Sequence, residues 1–236
     1  MIDLFSVSDE CQVYGQDVVL FEDFDFRLPP GRYALLSHNP EYRGLVMDII
    51  GGLRPPRNGW VDVTGSVSWP IGRVAMLRSK ATGLEFINLI ADQFGLDREH
   101  SAEFVTLMIS RPDYLDRSLY VWPHYVRQEF NFALGLLPEF DIYLVDAMIP
   151  SEDSRFTRLW QALFEERLVG KTLILSTSRP KQMLDYCAKA LVYDAGRLEI
   201  VADLEECLER FPIRTAREVI GDMTNVGAES GADFLF

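Results

Sequence analysis

The stretch "LLSHNPEYRG", residues 35–44, follows "LPPGRYA" and runs into "LVMDIIGGLRPPRNGWV". A short apolar strand precedes it and an amphipathic helix with a small-residue end follows, which is the frame of a phosphate-binding loop. Such a loop works because glycines let the backbone curl and aim N–H groups at phosphate oxygens. A lysine then neutralises the phosphates, and a Ser or Thr hydroxyl binds Mg²⁺. Here those glycines, the lysine and that hydroxyl are absent. Arg43 alone argues for residual phosphate binding, since a guanidinium can grip phosphate. Its plainer reading is a surface or ion-paired arginine at a helix start.

The elements that must hold this stretch are legible from patterning. "DVVLFEDFDFRL" alternates apolar and polar positions and predicts strands of an antiparallel pair ending at Pro29-Pro30-Gly31. "RYALL" predicts a short buried strand, and a helix is expected over roughly residues 43–52. "NGWVDVTGSVSW" reads as a hairpin through the turn signals Asn58-Gly59 and Thr64-Gly65. Residues 82–111 and "YVRQEFNFALGLL" carry helical spacing, whereas "FDIYLVDA" and "KTLILSTS" are continuous apolar runs of the parallel-sheet type. "SRFTRLWQALFEERLV", "PKQMLDYCA" and "DLEECLERF" predict further helices, and "KALVYDAGRLEIV" a hairpin through Asp194-Ala195-Gly196.

Composition narrows the function classes. The 236 residues allow one large domain or a domain with a subdomain, and 48% hydrophobic content is ample for a core. Lys+Arg 23 against Asp+Glu 36 gives a net charge of −13, which disfavours nucleic acid or an anionic membrane as the main partner. Cys11, Cys187 and Cys207 lie far apart without metal-ligand spacing, as in a reduced cytosolic protein. "MIDLFSVSDE" has no basic region leading an apolar run, so no signal peptide is expected. No apolar run approaches the roughly 20 residues that span a bilayer.

A strand, a loop and a helix, then two apolar strands ending in polar residues, is the order of a P-loop nucleotide-binding fold. Within that class the chain resembles the ATP-binding cassette (ABC) transporter ATPases, in particular those of capsular and O-antigen polysaccharide exporters. "GSVSWPIG", residues 65–72, carries the Ser-Trp-Pro-(aliphatic)-Gly run typical of that subgroup, and "FALGLLPEFDIYLVD" resembles the stretch leading to its Walker B strand. The resemblance covers roughly residues 5–210. It implies an α/β, P-loop NTPase-like cassette: a mixed sheet core, an antiparallel β subdomain and a helical subdomain over roughly 80–135. The domain is placed at 1–212, with a tail over 213–236.

The resemblance also implies a site, and most of its chemistry is missing. The first Walker A glycine matches Ser37 and a later one Tyr42; Pro40 stands where another glycine is usual and removes an N–H. Arg43 replaces the lysine, Gly44 replaces the Mg²⁺-binding hydroxyl, and Glu41 adds negative charge. The Q-loop glutamine matches Arg78. The signature Ser-Gly-Gly is replaced by Pro123-His124-Tyr125, where His124 is more plausible as a solvated or packed histidine than as a phosphate ligand. Asp146 matches the aspartate that holds Mg²⁺ through water, or else caps the turn after its strand. The base position is Ala147, which has no proton acceptor. "MIPSED" replaces the D-loop, and Ser178 stands at the switch histidine. Tyr14 matches the aromatic that stacks on adenine, or is simply a packed hairpin tyrosine.

These replacements point to a pseudo-ATPase: no catalytic residue, no metal site and no cofactor, with Tyr14, Asn39, Arg43 and Asp146 as residual nucleotide-site positions. Trp122, Pro123, Tyr125, Tyr42 and Pro40 are bulky or rigid replacements expected on surfaces fit for a protein contact. The expected partner is a second copy, an active ABC ATPase or the membrane subunit of a polysaccharide exporter, with the chain cytoplasmic and held at the inner membrane only through that partner. Two readings stand beside it: an ATPase with rewritten loops that uses ATP and magnesium, and a binding module whose cleft takes another small ligand.

Overall fold

The computed structural model describes residues 1–73, 77 and 79–213, as two compact units. Arg78 and the tail from 214 onward lie outside the described residues.

The first unit comprises Met1–Asp62 and the chain from Leu175. It opens with a long hairpin, β1 (Ile2–Val13) and β2 (Gln16–Leu28), closed by Tyr14 at φ 52° and Gly15 at φ 79°. Left-handed conformations at both positions are what a two-residue turn needs to match the strand twist. The antiparallel pair expected within residues 17–28 is therefore made by β2 with the chain's N-terminus. Register shifts between Leu4 and Glu10 bulge β1. Side chains bridge them: Ser6 N donates to Asp25 Oδ1 at 2.7 Å, and Asp23 N to Ser8 Oγ at 2.9 Å.

The residues from Asn58 do not form the expected hairpin. β4 (Asn58–Val63) adds to β1, so the order is β2-β1-β4, and Trp60 stacks on Phe5 with ring centroids 5.1 Å apart. Gly59 is no hairpin turn residue but the point of closest approach. At φ 77°, a Cβ there would lie 2.3 Å from the carbonyl oxygens of Phe5 and Ser6. Gly59→Ala is expected to cost about 2–3 kcal/mol, from backbone strain in a left-handed position. A melt within 1–2 °C of wild type would refute it, since 1 kcal/mol moves a chain of this size by about 2–4 °C.

The same unit holds β3 (Arg32–Leu36), parallel to β7 (Lys189–Asp194), which is antiparallel to β8 (Arg197–Val201). Tyr33, Leu35, Leu36, Leu191 and Val192 are buried, as continuous apolar runs demand. Helices α1 (Pro40–Ile50), α6 (Pro180–Tyr186) and α7 (Leu204–Arg210) complete it.

The second unit, Val63–Ile174, centres on β5 (Ile142–Asp146), whose first four residues are buried. The segment after Gly65 runs parallel to it: Val67 bridges Ile142, Ile71 bridges Val145, Ser68 N donates to Ile142 O and Ile71 N to Leu144 O, both at 2.9 Å. Helices α2 (Gly83–Phe94), α3 (Arg98–Met108), α4 (His124–Leu134) and α5 (Arg155–Arg167) belong to the same unit, with α3 in contact with α2, α4 and α5, and α4 with α5. α2 starts on a capping box at Thr82 and Glu85 and stops at Gly95 in the left-handed conformation, which divides the helical stretch predicted over 82–111. β6 (Thr172–Ser176) follows α5.

Asp141 fixes the start of β5. It accepts from Ser66 N at 3.0 Å, Ser66 Oγ at 3.2 Å and Lys171 Nζ at 2.8 Å. Lys171 foremost, then Ser66, lower its carboxyl to about 2. A carboxyl depressed on folding contributes stability above its unfolded value near 3.9, and that contribution is lost as pH falls toward 2. Asp141→Asn is expected to lower the melting temperature by a few degrees at pH 7, for a loss of about 1 kcal/mol, with the gap to wild type closing below pH 3. A gap that is constant across this range would refute the assignment.

Candidate functional site

The residual site positions fall into two groups, one on each unit. Tyr14, Asn39 and Arg43 belong to the first and Asp146 to the second.

In the first, only residues 37–39 join β3 to α1, because the helix begins at Pro40 rather than near 43. Asn39 is its N-cap: the side-chain oxygen accepts Glu41 N at 3.0 Å, and Pro40, which has no N–H to leave unsatisfied, takes the first helical position. Ser37 Oγ accepts Asn39 N at 3.4 Å. The His38 ring packs 4.4 Å from Phe211, and Tyr42 sits edge-on to Tyr193 at 5.8 Å. The amides of Asn39 and Glu41 are thus held by the chain's own side chains, and residue 40, a proline, has none.

Arg43 is no surface residue; its exposure is 7%. Tyr14 sits in the hairpin turn, and its hydroxyl is buried without a hydrogen-bond partner among the described residues. Burial, then the Glu41 charge and Tyr42, raise its phenol above the ordinary range. Thr177 Oγ1 bonds Gln182 Oε1 at 3.1 Å, and Ser178, at the switch position, is exposed.

In the second unit, Asp146 ends β5 and is bound by Arg73, a residue that sequence reasoning missed. Arg73 Nε donates to Asp146 Oδ2 at 2.9 Å and Nη2 to the same oxygen at 2.6 Å. Asp146 N donates to Ile71 O at 3.0 Å, and Gly72 N donates to Asn131 Oδ1 at 2.8 Å. Gly72, at φ 91°, turns the chain so that residue 73 returns to the end of β5; a Cβ on it would meet that of Ala147 at 2.3 Å. Asp146 is therefore ion-paired to Arg73, a contact that neither sequence reading, the aspartate that holds Mg²⁺ through water or the cap of the turn after its strand, foresaw.

The signature position opens α4. Pro123 is its N-cap and makes no side-chain cap hydrogen bond; His124 and Tyr125 are exposed. Trp122, expected at a surface, is instead 2% exposed: its Nε1 donates to Arg117 O at 2.9 Å and its ring packs 4.9 Å from Phe130. Tyr42 is half-buried. Among the described residues there is no cluster of three or more His, Cys, Asp or Glu side chains that would hold a metal ion.

The fold is that of an ABC ATPase cassette. A solved structure of the cassette MJ0796, dimeric in a post-hydrolysis state bound to ADP and Pi, aligns at a TM-score of 0.65 with 15% identity, over 85% of this chain and 98% of that one. The curated relatives point to one branch of that class. The chain is 25% identical over 213 residues to the ATP-binding protein BexA of Haemophilus influenzae, covering 88% of this chain and 98% of that protein. It is 26% identical over 194 residues to the capsule polysaccharide export ATP-binding protein CtrD of Neisseria meningitidis serogroup B, covering 81% and 89%. No family model matches.

These comparisons correct the expectation that no cofactor is involved. Both relatives are ATP-binding proteins by name and the solved cassette holds ADP and Pi, so a nucleotide is the cofactor they imply. The residues here fit magnesium poorly. Gly44 has no hydroxyl, and one oxygen of Asp146 already accepts two guanidinium N–H groups.

Proposed function

We propose that this chain is the cassette subunit of a cell-envelope polysaccharide export system that takes nucleotide but does not hydrolyse it, acting as an interaction or regulatory subunit. The observation that carries the reading is the end of β5. Asp146 is bound by Arg73, and the next residue, at the position of the base, is Ala147. With no proton acceptor there, attacking water is not polarised.

The relatives support the transport context: BexA and CtrD are ATP-binding proteins, the latter of capsule polysaccharide export, and the chain spans nearly the whole of each. The MJ0796 cassette is dimeric. A cassette of this kind pairs with a second cassette and with a membrane subunit, which would place the chain in the cytoplasm at the inner membrane. No helix among the described residues is long and apolar enough to cross a membrane itself.

The test is calorimetric titration of the purified chain with ATP, together with co-purification from cells that carry an intact cassette of the same export system. Binding of ATP without phosphate release, and recovery of the intact cassette with the chain, are the expected results. Turnover by the isolated chain would establish the competing reading, an ATPase with rewritten loops.

A further inference from the structure

We infer that Arg73 supplies the positive charge at Asp146 that a divalent cation would otherwise bring, so that nucleotide binding to this chain is largely independent of Mg²⁺. The inference rests on the cassette reading above for its choice of nucleotide, and on the second unit's geometry for everything else.

The pair is built into the backbone. The chain from Val67 to Ile71 is tied alongside β5 by two parallel bridges, and Asp146 N donates back to Ile71 O at 3.0 Å. Gly72 is pinned by the buried Asn131 side chain at 2.8 Å and takes a φ of 91°, open to glycine at no steric cost. Residue 73 is thereby delivered to the end of the strand whatever its side chain. An arginine there meets Asp146 Oδ2 through two N–H groups, at 2.6 and 2.9 Å. Both side chains keep only about a quarter of their surface exposed, 28% for Arg73 and 21% for Asp146, so water screens the pair incompletely.

A cation approaching Asp146 must displace a charge-assisted contact held by a fixed scaffold. Mg²⁺ gives up its own water reluctantly and prefers carboxylates with free oxygens. Competition at Oδ2 therefore favours the guanidinium.

The experiment compares ATP affinity by calorimetry in EDTA and in millimolar Mg²⁺, for the full chain and for Arg73→Gln, with melting curves to show that both are folded. Wild type is expected to change within about twofold between the two conditions, whereas Arg73→Gln is expected to bind at least about tenfold more tightly with Mg²⁺, a difference of about 1.4 kcal/mol. Adding Asp146→Asn to Arg73→Gln is expected to abolish that gain. A tenfold Mg²⁺ dependence in wild type, or the same small ratio in both proteins, would overturn the inference. If no variant binds ATP, the cassette reading fails, and Mn²⁺ alone decides the inference by paramagnetic broadening of resonances around Asp146. Broadening in Arg73→Gln but not in wild type upholds it, and equal broadening in the two overturns it.

Discussion

Phosphate release from Mg-ATP by the purified chain is expected to stay at the level of a protein-free control, and Ala147→Glu alone is expected to leave it there. A glutamate at 147 would restore a proton acceptor, yet a base is one contribution among several. In phosphoryl transfer, positioning and charge stabilisation by lysine, metal and their partners are worth roughly 10²–10⁵ each in rate. Here Arg43 stands at the lysine position, with an exposure of 7%. Asp146 is committed to Arg73, and the amide of Glu41 is capped by Asn39 rather than offered to a phosphate. Returning one carboxylate leaves the nucleotide's charge without its partners. Ordinary enzyme turnover falls at about 1–10³ per second. A value in that range for wild type would end the proposal of an inactive cassette, and such a value for Ala147→Glu would show that base loss was the sole lesion. Pairing with an intact cassette offers a useful contrast, since activity that appears only in the mixture and disappears when the partner's own base is removed assigns the chemistry to the partner.

The replaced phosphate loop shows how far sequence carries and where it stops. That "SHNPEYRG" lacks the chemistry of its frame is plain from residue types. That the helix starts at Pro40 was also present in the sequence, as an Asn followed by Pro, a sound N-cap and first-turn pair. The resemblance to a loop pulled the expected start to 43, although the capping residues, not the family spacing, govern where backbone N–H groups are satisfied. The buried strands were legible for a direct reason. "IYLV" and the "LIL" of "TLILS" are uninterrupted apolar runs because both faces are covered.

Turn residues misled where a glycine had a tertiary role. Asn58-Gly59 has the composition of a two-residue hairpin turn, but the left-handed φ of Gly59 serves a close approach to the backbone of β1, which no local pattern encodes. The segment 66–69, read as part of that hairpin, is instead tied to β5. Trp122 misled in the opposite sense, since a large aromatic beside Pro-His-Tyr looked like contact surface and is core. Arg73 left no signal at all. Its partner lies 73 residues away, and nothing in "PIGR" announces an ion pair. Only the route of the chain along β5 brings the two together, and that route is held by hydrogen bonds to the strand.

The packing that holds this scaffold leads to a second large effect, at Trp160. The side chain is fully buried, stacks on Phe164 with centroids 4.4 Å apart, meets Phe132 edge-on at 5.1 Å, and donates Nε1 to Phe132 O at 2.8 Å. Trp160→Ala removes the largest fully buried side chain and leaves that carbonyl without its donor, for an expected loss of about 3–5 kcal/mol. Folded domains carry about 5–15 kcal/mol in all, so the variant is expected to lie near the edge of folding. Trp160→Phe separates the two contributions: the ring contacts persist in part while the N–H is gone, for an expected cost of about 1–2 kcal/mol from the unpaired carbonyl. Urea titration followed by circular dichroism measures both, and it avoids a fluorescence signal that the substitution itself changes. Phe132 lies on α4, the helix that also supplies Asn131 to Gly72, so the loss should reach the β5 end of the unit. In Trp160→Phe the amide of Gly72 is accordingly expected to lose protection in hydrogen exchange. If Trp160→Ala moved the midpoint by less than the equivalent of 1 kcal/mol, the stacked cluster would be peripheral to the stability of this unit, and the positioning of Arg73 would have to rest on its backbone bridges alone.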